Sequence, residues 1–333
     1  MDLIILISEL QIEIFMKTII VTGVSGFIGS SLAEKLLKKK FRVIGIDSFT
    51  NFYSKKIKEK NLEFCKKNKN FSLIAKDILK IDLVPIFDKT DYLFHMAAQP
   101  GVRTSWGKDF GNYTKNNILV TQRLLDQAKI SKSLKKIVIA SSSSVYGNQN
   151  GKMNEVKTKT VPVSPYGVSK LAAEQLAKVY VENFNLPITM LRYFTVYGPK
   201  QRPDMAFMRF IIKSILKQPI TIYGNGNQKR DFTYIDDVVD ATISSVDVVN
   251  PGEIINIGGG VVISINRIIS ALKKISGLES NILYKPFPEG DVLRTDADIT
   301  KAKKLVKFKP KISLNEGLFF QYEYAKKNKN LYI

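Results

Sequence analysis

From Lys17 to about Phe194 the chain alternates between two kinds of apolar pattern. TIIVTG, FRVIGID, FSLIA, YLFHMAA, KKIVIASSS and PITMLRYF are continuous apolar runs of strand length, and helix-period segments lie between them. A strand covered on both faces has no polar side to expose, so such runs separated by helices predict an α/β, doubly wound parallel sheet. The spacing predicts helices over roughly Phe27 to Lys39, Tyr113 to Lys129 and Tyr166 to Asn183. After Gly198 the pattern loosens, and GPKQRPDM, YGNGNQKRDF and PFPEGDV read as loops rich in Gly, Pro, Asn and charge. EIINIGGG and a helical stretch from Val238 to Val249 are long enough to return to the main sheet. Residues 16–195, with 232–260 returning to them, therefore form one domain, and 196–231 with 261–333 form a smaller, interleaved substrate-binding domain. Met16 directly precedes the first strand, so residues 1–15 are either a mis-assigned start or a short extra strand.

Composition narrows the classes of function. With 51 Lys and Arg against 30 Asp and Glu, the formal charge is +21. The basic residues are scattered over KKK, KKIKEK, KKNKN and KKNKNLYI, and no nucleic-acid module organises them. They read as a solvated lysine surface that attracts an acidic ligand, with no nucleic-acid partner expected. The Leu- and Ile-rich start carries Asp2, Glu9 and Glu13 and lacks a cleavage pattern, and no later stretch reaches spanning length. The expectation is a cytoplasmic protein without a membrane anchor. One cysteine, Cys65, and one histidine, His95, supply neither a disulfide framework nor a metal site, so no metal is expected. His95 lies inside an apolar strand run and reads as a core residue.

The first strand ends in Gly23-Val24-Ser25-Gly26-Phe27-Ile28-Gly29 and runs straight into a helix. Glycines in that turn let backbone N–H groups and the helix N-terminus approach a pyrophosphate. The second strand ends at Asp47, preceded by Ile46 and not by an arginine. A carboxylate there accepts both ribose hydroxyls of NAD and repels the extra phosphate of NADP. Tyr166 and Lys170 stand four apart at the start of the helix that follows the strand run IASSSSVYG. A phenol is a poor base at neutral pH unless cations favour its anion, and the ammonium and a nicotinamide ring would do so.

The Gly-x-x-Gly-x-x-Gly spacing with Tyr166-Gly-Val-Ser-Lys170 resembles the extended short-chain dehydrogenase/reductases, a class that includes nucleotide-sugar epimerases and dehydratases. The resemblance covers nearly all of Lys17 to Lys304. It implies a Rossmann-type fold and bound NAD. Gly23, Gly26, Phe27, Ile28 and Gly29 would cradle it, Asp77 and Ile78 touch adenine, and Ala97, Ala98 and Tyr193 lie beneath it. Ser142 matches the hydroxyl that bonds the reacting oxygen, with Ser143 and Ser144 also facing substrate. Related 4,6-dehydratases carry Asp-Glu where this chain has Ser143-Ser144, and related decarboxylases carry Glu at Ser144. Elimination and decarboxylation thus lack their acid, and epimerisation at carbon 4 by transient oxidation remains.

LRYFTVYGPKQRPDMAF resembles the corresponding segment of UDP-glucuronate 4-epimerases, whereas UDP-glucose 4-epimerases usually show Asn at Thr195. A carboxylate at carbon 5 suits Thr195 as hydroxyl donor and Arg202 as bidentate cation. Arg230 in QKRDF and Arg294 after EGDV are the phosphate candidates, Arg103 is a third, and Tyr223 is expected near the uracil. UDP-glucose and UDP-N-acetylglucosamine remain alternative substrates, UDP-glucuronate decarboxylase is the next alternative, a non-catalytic NAD-sensing protein is the reading from another class, and relatives are usually homodimers through the two long helices.

Overall fold

The computed structural model describes residues 16–279 and 281–333, so the start 1–15 lies outside the described residues. Seven strands form an all-parallel sheet: β1 (Thr18–Thr22), β2 (Arg42–Ile46), β3 (Phe71–Ile74), β4 (Tyr92–His95), β5 (Lys136–Ser142), β6 (Ile188–Tyr193) and β10 (Glu253–Ile257). Their order is β10-β6-β5-β4-β1-β2-β3. It reverses between β1 and β4, which is where ligands bind in sheets of this Rossmann type. All of β1 and β6 is buried, as expected when helices cover both faces.

Helix α1 (Phe27–Lys38) follows β1 at once, with Gly26 as its N-cap. Helix α2 is continuous from Phe110–Tyr113 through a π-helical stretch, Thr114–Leu119, to Val120–Ile130. It begins three residues before the expected start, and the π stretch carries Asn117 inward. That amide accepts from Gln99 N at 2.7 Å and donates to Ser169 Oγ at 2.9 Å, joining the β4 loop to the next long helix. That helix, α3 (Pro165–Phe184), starts on a Ser164 cap with proline in its first turn and stops where Asn185 turns left-handed at φ 52°.

Beyond β6 the chain leaves the sheet and comes back. Strands β7 (Thr195–Tyr197), β9 (Lys229–Tyr234) and β11 (Val262–Ser264) make a three-stranded sheet, and β8 (Ile220–Tyr223) pairs with β12 (Ile282–Lys285). Helices α4 (Ala206–Ile215), α6 (Ile265–Ser276) and α7 (Leu314–Lys327) pack on them. Between β9 and β10, helix α5 (Ile235–Ser244) packs on α1, where Lys35 and Asp240 pair at 2.6 Å. It starts earlier and ends earlier than the expected Val238 to Val249. Asp236 and Asp237 suit its N-terminus, and after the Ser245–Asp247 turn Pro251 bars continuation. Gln201 and Gln321, both buried and bonded at 2.8 Å, tie α7 to the loop that follows β7.

Candidate active site

The carboxyl ends of β1, β4, β5 and β6 open onto one cavity of about 850 Å³, within the usual range for a ligand site. At its cofactor-shaped end, Gly23 adopts φ +66°, and a Cβ there would lie 2.7 Å from Ala97 Cα. A Cβ on Gly29 would lie 2.2 Å from Gly23 O, so only glycine lets α1 start this close to the turn. Asp47 accepts from Ser25 N at 2.9 Å and Phe49 N at 2.8 Å, one per oxygen, which leaves lone pairs for two more donors. Asp77 accepts from Leu79 N at 3.0 Å and Lys115 Nζ at 2.8 Å. Gly26, Phe27, Ile28, Ile78, Ala97, Ala98 and Tyr193 complete the lining. Tyr193 shares a hydrogen bond of 2.8 Å with Thr242, so its ring is what remains for a ligand. A cradle that side chains would fill, a helix N-terminus and a carboxylate beyond β2 together fit a dinucleotide.

Toward the middle, β5 ends at Ser142, whose hydroxyl accepts from Ser144 N and donates to Ser144 Oγ, both at 3.1 Å. The Ser164 cap, accepting from Gly167 N at 3.1 Å, sets Tyr166 in the first turn of α3 beside that serine turn. Tyr166 lies edge-on to Tyr113 at 6.2 Å. Lys170, one turn on, donates to Ala140 O at 2.5 Å. Burial depresses the Lys170 ammonium to about 8, with Glu174 opposing the fall. Burial pushes the Tyr166 phenol up, and the hydrogen bond with Ser142 and the charge of Arg202 only partly offset this. The polypeptide by itself therefore keeps Tyr166 protonated at neutral pH, and a further cation in the cavity is needed to make it a base. Phenolate absorbance, taken as wild type minus Tyr166→Phe, should rise at lower pH with NAD bound than with NADH bound. Identical titrations in the two complexes would remove the nicotinamide charge from the mechanism.

Beneath this turn lies a buried ion pair that the apolar reading of PITMLRYF did not anticipate. Arg192 donates to Glu174 through Nε at 2.9 Å and Nη2 at 2.7 Å, with both side chains at most 3% exposed. Ser141 Oγ adds a third bond to Glu174, and the Arg192 guanidinium stacks 4.6 Å from the Tyr146 ring centre. Glu174 follows Lys170 by one turn, so the pair pins α3 to β5 and β6. A Glu at i+4 from the lysine and an Arg one residue before the strand's end were the available signals.

At the far end Thr195, Arg202, Tyr223, Arg230 and Arg103 line the cavity together with Ser142, Ser143 and Ser144. Arg294 does not line it. Its Nη2 pairs with Asp296 at 2.8 Å, and its backbone bridges to Lys229. Tyr223 carries the Arg103 guanidinium 4.1 Å above its ring and Arg209 at 5.6 Å, so a base stacking on that ring must compete with arginine for its faces. Arg103 also pairs with Asp291 at 2.7 Å. Arg209 was missed, although an arginine among the buried Phe207, Met208, Phe210 and Ile211 marks a cation turned off an apolar helix. Tyr53 was missed too: its hydroxyl is buried without a partner while the residue lines the cavity. It follows Asp47 by six residues in SFTNFYS, a loop whose pattern gave no sign.

His95 sits between Thr22 Oγ1 at 2.8 Å and Thr121 Oγ1 at 3.1 Å, and burial depresses it to about 3, so it stays neutral in the core. Cys65 is buried, and desolvation pushes its thiol up to about 11. Among the described residues no helix is long and apolar enough to cross a membrane.

Residues 19–258 match the family described as the NAD dependent epimerase/dehydratase family. A UDP-glucuronate 4-epimerase of Thermodesulfobacterium geofontis is 41% identical over 93% of this chain and 96% of its own length. An uncharacterized UDP-glucose epimerase, YtcB, of Bacillus subtilis is 44% identical over 92% of this chain and 97% of its own. The crystal structure of UDP-glucuronic acid 4-epimerase from Bacillus cereus, in complex with UDP-glucuronic acid and NAD, superposes with a TM-score of 0.91. It is 46% identical and covers 93% of this chain and 99% of that one.

Proposed function

Since the chain belongs to the NAD dependent epimerase/dehydratase family, we propose that it interconverts UDP-glucuronate and UDP-galacturonate by inverting carbon 4. One observation carries the choice of substrate: Arg202 and Thr195 line the same cavity as Tyr166, Lys170 and Ser142. A cation for the group on carbon 5 and a base for the hydroxyl on carbon 4 must be neighbours, because those carbons are bonded. The relatives that act on UDP-glucuronate support the reading.

In this mechanism Gly23, Gly26 and Gly29 would hold the pyrophosphate of NAD, Asp47 its ribose and Asp77 with Ile78 its adenine, and Ala97, Ala98 and Tyr193 line the same site. NAD, when bound, supplies a reversible hydride acceptor. Tyr166 takes the proton from the 4-hydroxyl and later returns it, Lys170 holds the phenolate, and Ser142 bonds the reacting oxygen. Ser143 and Ser144 border the sugar without supplying an acid. Thr195 and Arg202 hold the carboxylate, and Arg230, with Arg103, meets the pyrophosphate of UDP beside Tyr223. Arg294, turned to Asp296, is left out of this assignment. Residues 16–195 with 232–260 form the NAD half, and 196–231 with 261–333 the UDP-sugar half.

The same proposal makes the enzyme a cytoplasmic homodimer. Leu119 and Ile130 on α2, with Val168, Val179 and Phe184 on α3, stand exposed on two helices packed side by side. A second copy would cover such a face.

The decisive experiment is incubation of the pure enzyme with UDP-glucuronate, UDP-glucose and UDP-N-acetylglucosamine, with and without added NAD. The expected result, read by proton NMR, is UDP-galacturonate from the first alone and no UDP-pentose. Conversion of a neutral sugar only would remove the carboxylate roles, and UDP-pentose would make the enzyme a decarboxylase.

A further inference from the structure

The guanidinium assigned to the uronate already holds a carboxylate. Arg202 donates through Nε to Asp204 Oδ1 at 3.0 Å and through Nη2 to Oδ2 at 2.9 Å. That two-pronged geometry is how arginine takes a carboxylate, and the partner comes from the chain itself, two residues away. Both residues line the cavity. The two are not equally fixed: the Asp204 side chain is 39% exposed and that of Arg202 20%. Among the described residues, the hydrogen bonds that hold Asp204 come from Arg202 alone. Asp204 stands in the loop just before α4, at the water-facing edge of the site.

Two carboxylates on one guanidinium in a half-buried site repel each other, so a uronate and Asp204 cannot both take the fork at full strength. The Asp204 carboxylate is 39% exposed, so water can take over its hydrogen bonds when a bound ligand displaces it. Resting on the uronate reading above, we propose that Asp204 is an exchangeable counter-carboxylate. It occupies Arg202 in the free enzyme, yields it to the substrate, and takes it back while the sugar turns to present its other face. Turning the ring moves the group on carbon 5, so a carboxylate locked on an uncontested arginine would resist the turn. Asp204 thus trades affinity for turnover, and only for sugars that carry an acid.

The test compares Asp204→Asn with wild type in the full-length, NAD-loaded enzyme. Dissociation constants for UDP-glucuronate and UDP-glucose are measured on a Tyr166→Phe background, where no turnover interferes, and kcat is measured with Tyr166 intact. Removing the competitor should tighten UDP-glucuronate by about three- to tenfold and leave UDP-glucose within about twofold. The kcat on UDP-glucuronate should fall while its KM falls with it. Asp204→Ser, smaller and neutral, should behave alike, and Asp204→Glu, which restores the charge, should return toward wild type. Weaker binding of UDP-glucuronate to Asp204→Asn would overturn the exchange, because Asp204 would then be orienting Arg202. Equal effects on both sugars would overturn it as well. A wild type that binds no UDP-glucuronate overturns both this inference and the substrate reading, whereas a wild type active on it confines any failure to Asp204.

Discussion

Replacing Tyr166 with phenylalanine should lower kcat on UDP-glucuronate by about a hundred- to ten-thousandfold, the span that a positioned acid–base group contributes. The loss should fall almost wholly on turnover. The ring would stay in its place edge-on to Tyr113, and Lys170 would keep its bond to Ala140 O. None of the groups assigned to the cofactor cradle depends on the phenolic oxygen, so NAD content after purification should match wild type. Ser142 cannot replace the missing oxygen. An aliphatic hydroxyl is far less acidic than a phenol, and Ser142 has no cation of its own to favour its anion. Lys170→Met should depart from this pattern by weakening NAD as well as turnover. Activity of Tyr166→Phe within about tenfold of wild type would assign the proton to another group.

Much of this site was legible before any coordinates, because it depends on features that are local in sequence. The six apolar runs all became strands of the main sheet, since a strand buried on both faces writes its burial directly into its composition. The Gly23 turn, Asp47 and the Tyr166–Lys170 pair each follow a strand end, and a parallel sheet brings its strand ends to one edge. Partners distant in sequence were not legible. Arg192 in an apolar strand makes sense only beside Glu174 on α3, and the stacking of Arg103 on Tyr223 joins a loop to the end of a strand that no local pattern aligns. Arg294 lies outside the cavity lining for a local reason. Being near PFPEGD suggested a ligand, while Asp296 two residues on was free to take the guanidinium first. Helix limits moved for reasons that periodicity does not weigh: α2 passes through a π stretch, and α5 gives way to the Ser245–Asp247 turn.

Arg202→Met should divide the substrates rather than the chemistry. Methionine keeps the unbranched apolar stem and removes the charge, the fork and the guanidinium that now sits 5.8 Å from the Phe52 ring centre. Losing one partner of a desolvated charged contact costs about 2–5 kcal/mol, so kcat/KM for UDP-glucuronate should fall by about thirtyfold or more. UDP-glucose, with a hydroxymethyl group at carbon 5, should change by less than about fivefold, because Tyr166, Lys170 and Ser142 are intact. A smaller common loss on both sugars is allowed, since the Arg202 charge also favours the Tyr166 phenolate. Equal losses throughout would reduce Arg202 to that electrostatic role and end the carboxylate assignment. The products carry a second reading. Oxidation at carbon 4 makes the uronate a β-keto acid, whose carboxylate leaves as carbon dioxide when the breaking bond aligns with the ketone and its electron pair passes into the enolate. With Thr195 as the remaining restraint, the share of turnovers ending in a UDP-4-keto-pentose should rise in Arg202→Met, and more in the variant lacking both. Part of the affinity loss belongs to Asp204, which without Arg202 faces the incoming carboxylate as a bare like charge. The double change Arg202→Met with Asp204→Asn should therefore bind UDP-glucuronate better than Arg202→Met alone, though still less tightly than wild type.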